Sequence, residues 1–446
     1  MNIAIKFRKS ILLITKIFIV LSVTFLFINT WKTHYTEALF SKNGNYLVIF
    51  AFLIIFLTFI SLYGGFKVGV SRLHELIYSL TLAVVFTNFV MYMVFCLIAR
   101  QIMPIFPILI GMVEQIVMVF IGSSCANTIY FRLYSARKMI ALFSGDKAGF
   151  ELIKKMSKIP ERYSIERGVS VDNTDMDKIN MLLDKYEAVI LCDFDKSKKN
   201  EILRMCYQKG KRLYILPSSN DIILNNSYQT QVFDTPILMC RNRGLTIEQA
   251  MAKRAMDIVI ALVGLIVFSP IMLITAIAIK LCDGGPVFFK QKRITKDNKE
   301  FDILKFRSMI VDADKDGVRG ASDNDDRITP VGKIIRPFRI DEIPQLLNVL
   351  KGDISMVGPR PERVENVIEY TNELPEFALR HRVKGGLTGY AQIYGKYNTS
   401  PQDKLNMDLI YIEKYSLLMD IKLMAMTVKI LFMKESTEGF NEPTKK

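Results

Sequence analysis

The sequence predicts a membrane protein that joins an all-helical part to an α/β part: a four-helix transmembrane bundle, an α/β domain with a parallel sheet, and a C-terminal domain opening on a fifth apolar helix. Three observations carry the prediction. Four apolar segments follow one another at about 11–30, 46–64, 76–99 and 104–123, each close to the roughly 20 residues that cross a bilayer as a helix. From about 139 to 245 short apolar runs alternate with polar helical stretches. A further uncharged run, Ile258–Ile279, then precedes the densest polar constellation of the chain. The domains accordingly fall at 1–135, 136–246 and 247–446.

Basic residues orient the bundle. Lys6, Arg8 and Lys9 precede the first segment, Lys67 and Arg72 separate the second and third, and Arg132, Arg137 and Lys138 follow the fourth. The other two loops carry Lys32, Lys42 and Glu37, and then Arg100 alone. This bias places both ends of the bundle, and everything after about residue 130, on the cytoplasmic side. Lys16 lies near one end of its segment, where its stem can snorkel.

The middle region reads as βαβ units. Strands are expected at Met139–Phe143, Ala188–Cys192, Leu213–Leu216 and Pro236–Met239, and helices at Phe150–Met156, Asp175–Tyr186 and Lys199–Lys209. A dinucleotide-binding domain would carry G-x-G-x-x-G after its first strand. Here Ser144-Gly145-Asp146-Lys147-Ala148-Gly149 has two glycines at the wrong spacing and an anion where phosphate would sit. The expectation is a degenerate, nucleotide-free Rossmann-like domain.

The fifth apolar segment admits two readings. Its 22 residues would reach about 33 Å, enough to span, which would put residues 283–446 outside the cell. Yet both flanks are basic, and Ser269-Pro270 falls near the middle, where proline removes a backbone donor and favours a kink. A bent helix can enter and leave one leaflet.

Composition narrows the chemistry. The chain has 446 residues, half of them hydrophobic, and a formal net charge of +15. Disorder is excluded by the hydrophobicity. The six cysteines stand alone with no CxxC pair, and of three histidines only His381 lies beyond the membrane quarter, so a zinc site or a Ser-His-Asp triad is not expected. A metal would be held by carboxylates. Such a pair stands in Arg336-Pro337-Phe338-Arg339-Ile340-Asp341-Glu342-Ile343-Pro344-Gln345. Asp341 is a favourable N-cap, Glu342 suits the first turn, Pro344 would be the third helical residue, and Gly352 the stop. This is either a capped helix with surface ion pairs or a phosphate-handling site. In the second reading the carboxylates take Mg²⁺, and Arg336, Arg339 and the proline-flanked Arg360 of Pro359-Arg360-Pro361 offer forked donors.

Eight motifs in order decide between these readings. They are Lys253-Arg254 with Asp257, Ser269-Pro270, Gly285-Pro286-Val287-Phe288-Phe289-Lys290-Gln291, Lys305-Phe306-Arg307-Ser308-Met309, Asp341-Glu342-Ile343-Pro344-Gln345, Asn348-Val349-Leu350-Lys351-Gly352-Asp353, Val357-Gly358-Pro359-Arg360-Pro361 and Leu387-Thr388-Gly389-Tyr390-Ala391-Gln392. From about 253 to 433 the chain resembles the bacterial sugar transferases, the large polyprenyl-phosphate hexose-1-phosphate transferases. The resemblance implies a C-terminal, mostly helical catalytic domain with a re-entrant helix at about 254–282 bent at Ser269 and Pro270. It implies a multi-pass protein of the bacterial inner membrane, with the catalytic domain in the cytoplasm. It also implies transfer of a sugar-1-phosphate from a UDP-sugar to undecaprenyl phosphate with release of UMP, opening the synthesis of a capsular or exopolysaccharide. In that scheme Asp341 is the nucleophile and Glu342 helps hold Mg²⁺ or moves a proton. Lys305, Arg307, Arg336 and Arg360 bind phosphate, and Gln345, Pro359 and Pro361 complete the substrate-binding set. Membrane lipids and a second copy of the chain are the implied partners. The segment 404–433 would rest on the membrane surface. The run Tyr394-Gly395-Lys396-Tyr397-Asn398-Thr399 resembles members that start with glucose or galactose.

Three positions depart from the family pattern: Thr295 and Asn298 stand where many members have glycine, and Gly385 where many have proline. A membrane-tethered nucleotide-sugar dehydratase would need the missing glycine fingerprint, and a non-catalytic scaffold would not need Asp341, Glu342 and Arg360 together. Nucleic acid is not expected, since no helix-turn-helix or aromatic-basic pattern accompanies the charge. Through Lys138 the chain holds 12 basic and 3 acidic groups, +9 of the +15, so most of the excess serves topology and anionic lipid.

Overall fold

A computed structural model describes residues 7–35, 40, 43–144, 148–192, 196–240, 244–311, 325–396 and 399–431. The chain separates into two compact units, 1–216 and 217–446. Gly145, Asp146 and Lys147 of the glycine loop, residues 312–324 of the acidic loop, Tyr397, Asn398 and the end of the 404–433 segment lie outside the described residues.

The first unit opens with four long apolar helices, α1 (Arg8–His34), α2 (Gly44–Tyr63), α3 (Leu73–Ala99) and α4 (Phe106–Leu133). Each is long and apolar enough to cross a membrane. Helix α1 lies close on α4 because Gly111 faces Thr30, where a Cβ would collide with the threonine side chain. Small residues permit such backbone approach where no hydrophobic effect drives helices together. Phe27 and Trp31 of α1 stack with Phe95 of α3, and Phe27 also meets Phe52 of α2 at 3.9 Å between ring centroids. Asn88 of α3 donates to Gln115 of α4 at 2.7 Å, so one hydrogen bond joins two buried amides. The outward faces are apolar, with Phe25, Phe50, Phe89, Ile110 and Phe120 all exposed.

A four-stranded parallel sheet follows, built of β1 (Arg137–Phe143), β2 (Tyr163–Ser170), β3 (Ala188–Cys192) and β4 (Arg212–Ile215) in the order β2-β1-β3-β4. Between the strands run α5 (Ala148–Ser157), α6 (Met176–Lys185) and α7 (Lys196–Gln208). Side chains alternate across the sheet. Ile140, Leu142, Val189 and Leu191 pack on Ile179, Leu183 and Ile202, while Met139, Ala141, Ala188 and Ile190 pack on Met156. Strand β2 is missing from the sequence-based expectation because its Glu166-Arg167-Gly168 stretch is exposed at the sheet edge and gives no apolar run.

The second unit begins with α8 (Ser219–Asn225) and a hairpin of β5 (Tyr228–Val232) and β6 (Thr235–Met239). The strand expected at Pro236–Met239 therefore exists, but it pairs antiparallel with β5 and not within the parallel sheet. Helix α9 (Ile247–Asp283) is capped at Thr246, whose side chain accepts from the Gln249 N–H while Gln249 Oε1 accepts from the Thr246 N–H. The antiparallel pair β7 (Phe288–Ile294) and β8 (Glu300–Phe306) follows, then α10 (Pro330–Ile335), a 3₁₀ turn at Ile340–Glu342, and α11 (Gln345–Lys351). After these come β9 (Ser355–Val357), α12 (Val364–Glu373), a 3₁₀ stretch at Pro375–Arg382, β10 (Gly386–Thr388), α13 (Tyr390–Tyr394), α14 (Pro401–Glu413) and α15 (Leu417–Leu431).

Helix α9 touches its own unit at both ends. Ala261 and Leu265 join Phe301, Ile303 and Leu346 in one core, and Ile279, Met272 and Ala276 join Phe306 and Ile335 in another. Between them Ile266, Val267, Leu273 and Ile274 are exposed. The helix runs on through Pro270. Proline offers no N–H to the Ile266 carbonyl four residues back, and Ser269 Oγ donates to that same carbonyl at 2.8 Å. The hydroxyl thus replaces the lost bond from one position earlier.

Candidate active site

The paired carboxylates do not cap a helix as the sequence suggests. Asp341 and Glu342 lie in the 3₁₀ turn, and α11 starts only at Gln345 after a cap at Pro344. The cause is Arg339, which sits in the left-handed region at φ 53° and turns the chain just before Ile340. A non-glycine residue held there is uncommon and costs backbone energy, which the surrounding packing must sustain. Gly352 closes α11 as expected, at φ 92°. Arg254 reinforces that end, donating to the carbonyls of Val349 and Leu350 at 2.6 Å each.

Glu342 is the electrostatic centre. Its Oε1 accepts from Lys305 Nζ at 2.7 Å and from Arg360 Nη2 at 3.0 Å. Burial alone would raise its carboxyl, but Arg360 and Lys305 outweigh that and hold it well below the ordinary range. Asp341 behaves oppositely. Burial, and then the charge of Glu342 beside it, push it up to about 6 against the pull of Lys305 and Arg336. The proton affinities of two adjacent carboxylates are thus driven apart, with Glu342 anchored to two cations.

The Pro359-Arg360-Pro361 loop is clamped from behind. Arg380, almost fully buried, donates Nη2 to the Arg360 carbonyl at 2.8 Å and Nε to Asp408 Oδ2 at 3.0 Å. Arg293 donates Nη1 to the Pro361 carbonyl at 3.0 Å. Beneath the loop, Gly386 donates its N–H to the Pro359 carbonyl at 2.9 Å. A Cβ at Gly386 would collide with the backbone of Gly358, so only glycine permits this approach. Three successive carbonyls are thereby fixed, and the Arg360 guanidinium is aimed at Glu342.

Comparison with known proteins gives this arrangement a family. The model of the bacterial sugar transferases matches residues 248–434. A UDP-glucose:undecaprenyl-phosphate glucose-1-phosphate transferase of Klebsiella pneumoniae is 32% identical over 330 residues, covering 69% of this chain and 70% of that protein. The chain belongs to the bacterial sugar transferase family. A UDP-N-acetylgalactosamine-undecaprenyl-phosphate N-acetylgalactosaminephosphotransferase of Aeromonas hydrophila is 44% identical over 185 residues, which is 41% of this chain and 44% of the relative. A UDP-glucose:undecaprenyl-phosphate glucose-1-phosphate transferase of Escherichia coli K12 is 35% identical over 248 residues, 54% and 53% of the two chains. The chain spans about half the length of these last two relatives.

In this sugar transferase family member the structure gathers Asp341, Glu342, Lys305 and Arg360 into one cluster, with Arg336 close enough to act on Asp341. Gln345 is buried beside them on α11, and its Nε2 has no hydrogen-bond partner. Pro359 and Pro361 contribute carbonyls to the clamp. Arg307 is placed differently: it is buried against Asp283 at the end of α9, with its Nε and Nη1 unpartnered. Sequence reasoning missed Arg293, Arg380 and Asp408. Strand alternation puts Gln291 and Arg293 on one face of β7, where Arg293 Nη2 donates to Gln291 at 2.8 Å, and this was the one available signal.

Asp341 and Glu342 are hard oxygen donors suited to Mg²⁺. Among the described residues no group of three His, Cys, Asp or Glu side chains forms a metal cage. The pair could offer such an ion one or two ligands at most, the rest of its shell being water and phosphate oxygens.

Proposed function

We propose that this protein transfers a sugar-1-phosphate from a UDP-sugar to undecaprenyl phosphate, releasing UMP, as the first membrane step of a surface polysaccharide. The observation that carries the reading is the division between Asp341 and Glu342: one carboxylate is committed to Lys305 and Arg360, the other is half-buried with no such commitment. A carboxylate oxygen of Asp341 attacks the phosphorus that bears the sugar. The bond to UMP breaks, UMP leaves with the electron pair, and an aspartyl-phosphosugar remains. An oxygen of the lipid phosphate then attacks that phosphorus and returns the carboxylate, leaving a lipid diphosphosugar. Splitting the displacement lets both substrates use one site in turn. Lys305, Arg336 and Arg360 offset charge on the phosphate oxygens as it moves. Arg307, through its two unpartnered guanidinium nitrogens, serves the donor phosphate or sugar, and the free amide nitrogen of Gln345 orients the substrate. Mg²⁺, held by Asp341 and Glu342, would neutralise the diphosphate.

The proposed seating is a re-entrant α9 at about 254–282, bent at Ser269-Pro270, in the inner membrane of a bacterium. Its support is that the residues near Ala261 and those near Ile279 pack on the same unit, β8 included, while the apolar middle is exposed. A helix that crossed the bilayer would leave its far end without that unit. On this seating the catalytic domain, 247–446, faces the cytoplasm, the four N-terminal helices form a transmembrane bundle within 1–135, and the Rossmann-like part is 136–246. The functional form is a homodimer.

The test is nucleotide release from the purified chain in lipid nanodiscs with Mg²⁺, undecaprenyl phosphate and a panel of UDP-sugars. UMP release with one donor, abolished by Asp341→Asn, is the expected result. Release of UDP would replace the proposal with ordinary glycosyl transfer.

A further inference from the structure

The N-terminal unit holds a cavity of about 660 Å³ that the proposed reaction does not use. It opens between the connection from α2 to α3, the last turns of α4 and the turn ahead of β2, and it is lined by Arg72, Arg132 and Arg162 together with Glu75 and Glu161. Two of these cations, Arg132 and Arg162, are not spent on the carboxylates. Glu75 accepts from the backbone N–H of Arg72 at 3.4 Å, and neither Arg132 nor Arg162 pairs with a carboxylate among the described residues. Arg162 Nη2 reaches only the Ser71 carbonyl at 3.5 Å, and its Nε is buried with no partner. The remaining wall mixes the apolar Val70, Leu73, Phe131 and Ile159 with the polar Ser71, Asn127 and Thr128. One cavity thus joins forked donors to apolar side chains of α3 and α4.

We propose that this cavity binds the phosphodiester headgroup of an anionic membrane lipid. Guanidinium forks match phosphate oxygens in pairs. The cytoplasmic leaflet is the anionic one, and Arg72 and Arg132 are among the cations that set the orientation, so the cavity sits at headgroup level. The acyl chains would run along Leu73 and Phe131 into the bilayer. The inference rests on the proposed orientation of the bundle and not on the transfer reaction.

The full chain in detergent, titrated by native mass spectrometry with dioleoyl phosphatidylglycerol, dioleoyl phosphatidylcholine and sn-glycerol 3-phosphate, tests it. Phosphatidylglycerol is expected to bind about tenfold tighter than phosphatidylcholine, and the double variant Arg132→Gln/Arg162→Gln to lose about that factor for the anionic lipid alone. Arg132→Gln by itself, at an exposed position, is expected to lose part of it and guards against a folding failure. Equal binding of the two lipids, or undiminished phosphatidylglycerol binding in both variants, overturns the proposal. So does an equal loss in Lys138→Gln, a cation of the same surface outside the cavity, since diffuse charge would then suffice. Retention of glycerol phosphate as firmly as the lipid overturns the lipid source. No readout uses transfer activity, so failure here leaves the proposed reaction standing.

Discussion

Thr295 Oγ1 accepts the backbone N–H of Gly385 at 3.0 Å, and its own hydroxyl donates to the Asp353 carbonyl at 3.1 Å. By the resemblance read from the sequence these two residues replace a glycine and a proline that many members carry, and the replacements meet. A proline at 385 has no N–H to offer, and a glycine at 295 has no hydroxyl to receive one. The third departure, Asn298, keeps the left-handed backbone that glycine would favour, at φ 58°, and its Oδ1 lies 2.7 Å from His381 Nδ1.

Thr295→Val is expected to lower stability by about 1–3 kcal/mol, because the Gly385 N–H and the Asp353 carbonyl both lose a partner. Gly385→Pro should cost less in that background than in the parent chain. Thermal melts of the four proteins measure the coupling, and strict additivity would mean the hydrogen bond contributes nothing.

Arg380→Lys keeps a positive charge beside Asp408 but cannot reach both Asp408 and the Arg360 carbonyl. The expected outcome is a fall in kcat of about tenfold, near 1.4 kcal/mol of barrier, with KM for the UDP-sugar little changed. A fall in stability with unaltered kcat would make Arg380 purely a folding residue.

His381 is held down at about 4 by burial and then by the charge of Arg380. Its folded value lies below its ordinary one, so the neutral ring stabilises the fold above about pH 6.5, and that contribution is lost as pH falls toward 4. The melting temperature of the wild type should therefore drop more steeply over this range than that of His381→Gln. Parallel curves for the two proteins would remove His381 from the acid sensitivity.

Lys253 and Asp420 form a 2.6 Å ion pair that is 7% and 0% exposed at the two side chains, with Tyr411 donating to Asp420 at 2.8 Å. Asp420→Asn alone should cost about 3–5 kcal/mol, and Lys253→Met with Asp420→Leu should regain much of it. Chemical denaturation of the variants distinguishes this from a pair of independent losses.

A chain whose sole cysteine is Cys282, exposed at the end of α9, reports the seating of that helix. A membrane-impermeant maleimide added to spheroplasts should leave it unlabelled and label it after lysis. Labelling of intact spheroplasts would mean that α9 crosses.

What the sequence discloses follows from the range of the interactions. The long apolar helices are legible because a missing charge needs no partner to be noticed, and Asp341, Glu342 and Arg360 because they stand in compact motifs. The clamp is not, because Arg293 meets Pro361 across 68 positions and Arg380 meets Asp408 across 28. The N-cap reading of Asp341 failed on a single backbone angle at Arg339, which side-chain preference cannot foretell. The strand at Pro236–Met239 was legible as a strand, but its partner was not, since an apolar run does not say what it will pair with.

The first turns of α9 are bolted to the catalytic core by three consecutive devices: Lys253 to Asp420, Arg254 to the end of α11, and Asp257 to Ser355 Oγ and the Met356 N–H at 3.0 Å each. With the apolar half of that helix seated in one leaflet as proposed, these bolts make it a depth gauge. The height of Asp341 above the acyl chains is then a property of the backbone, independent of bilayer thickness. On the proposed reaction, an acceptor lipid would then be admitted by how far its phosphate stands clear of the surface and not by the length of its tail.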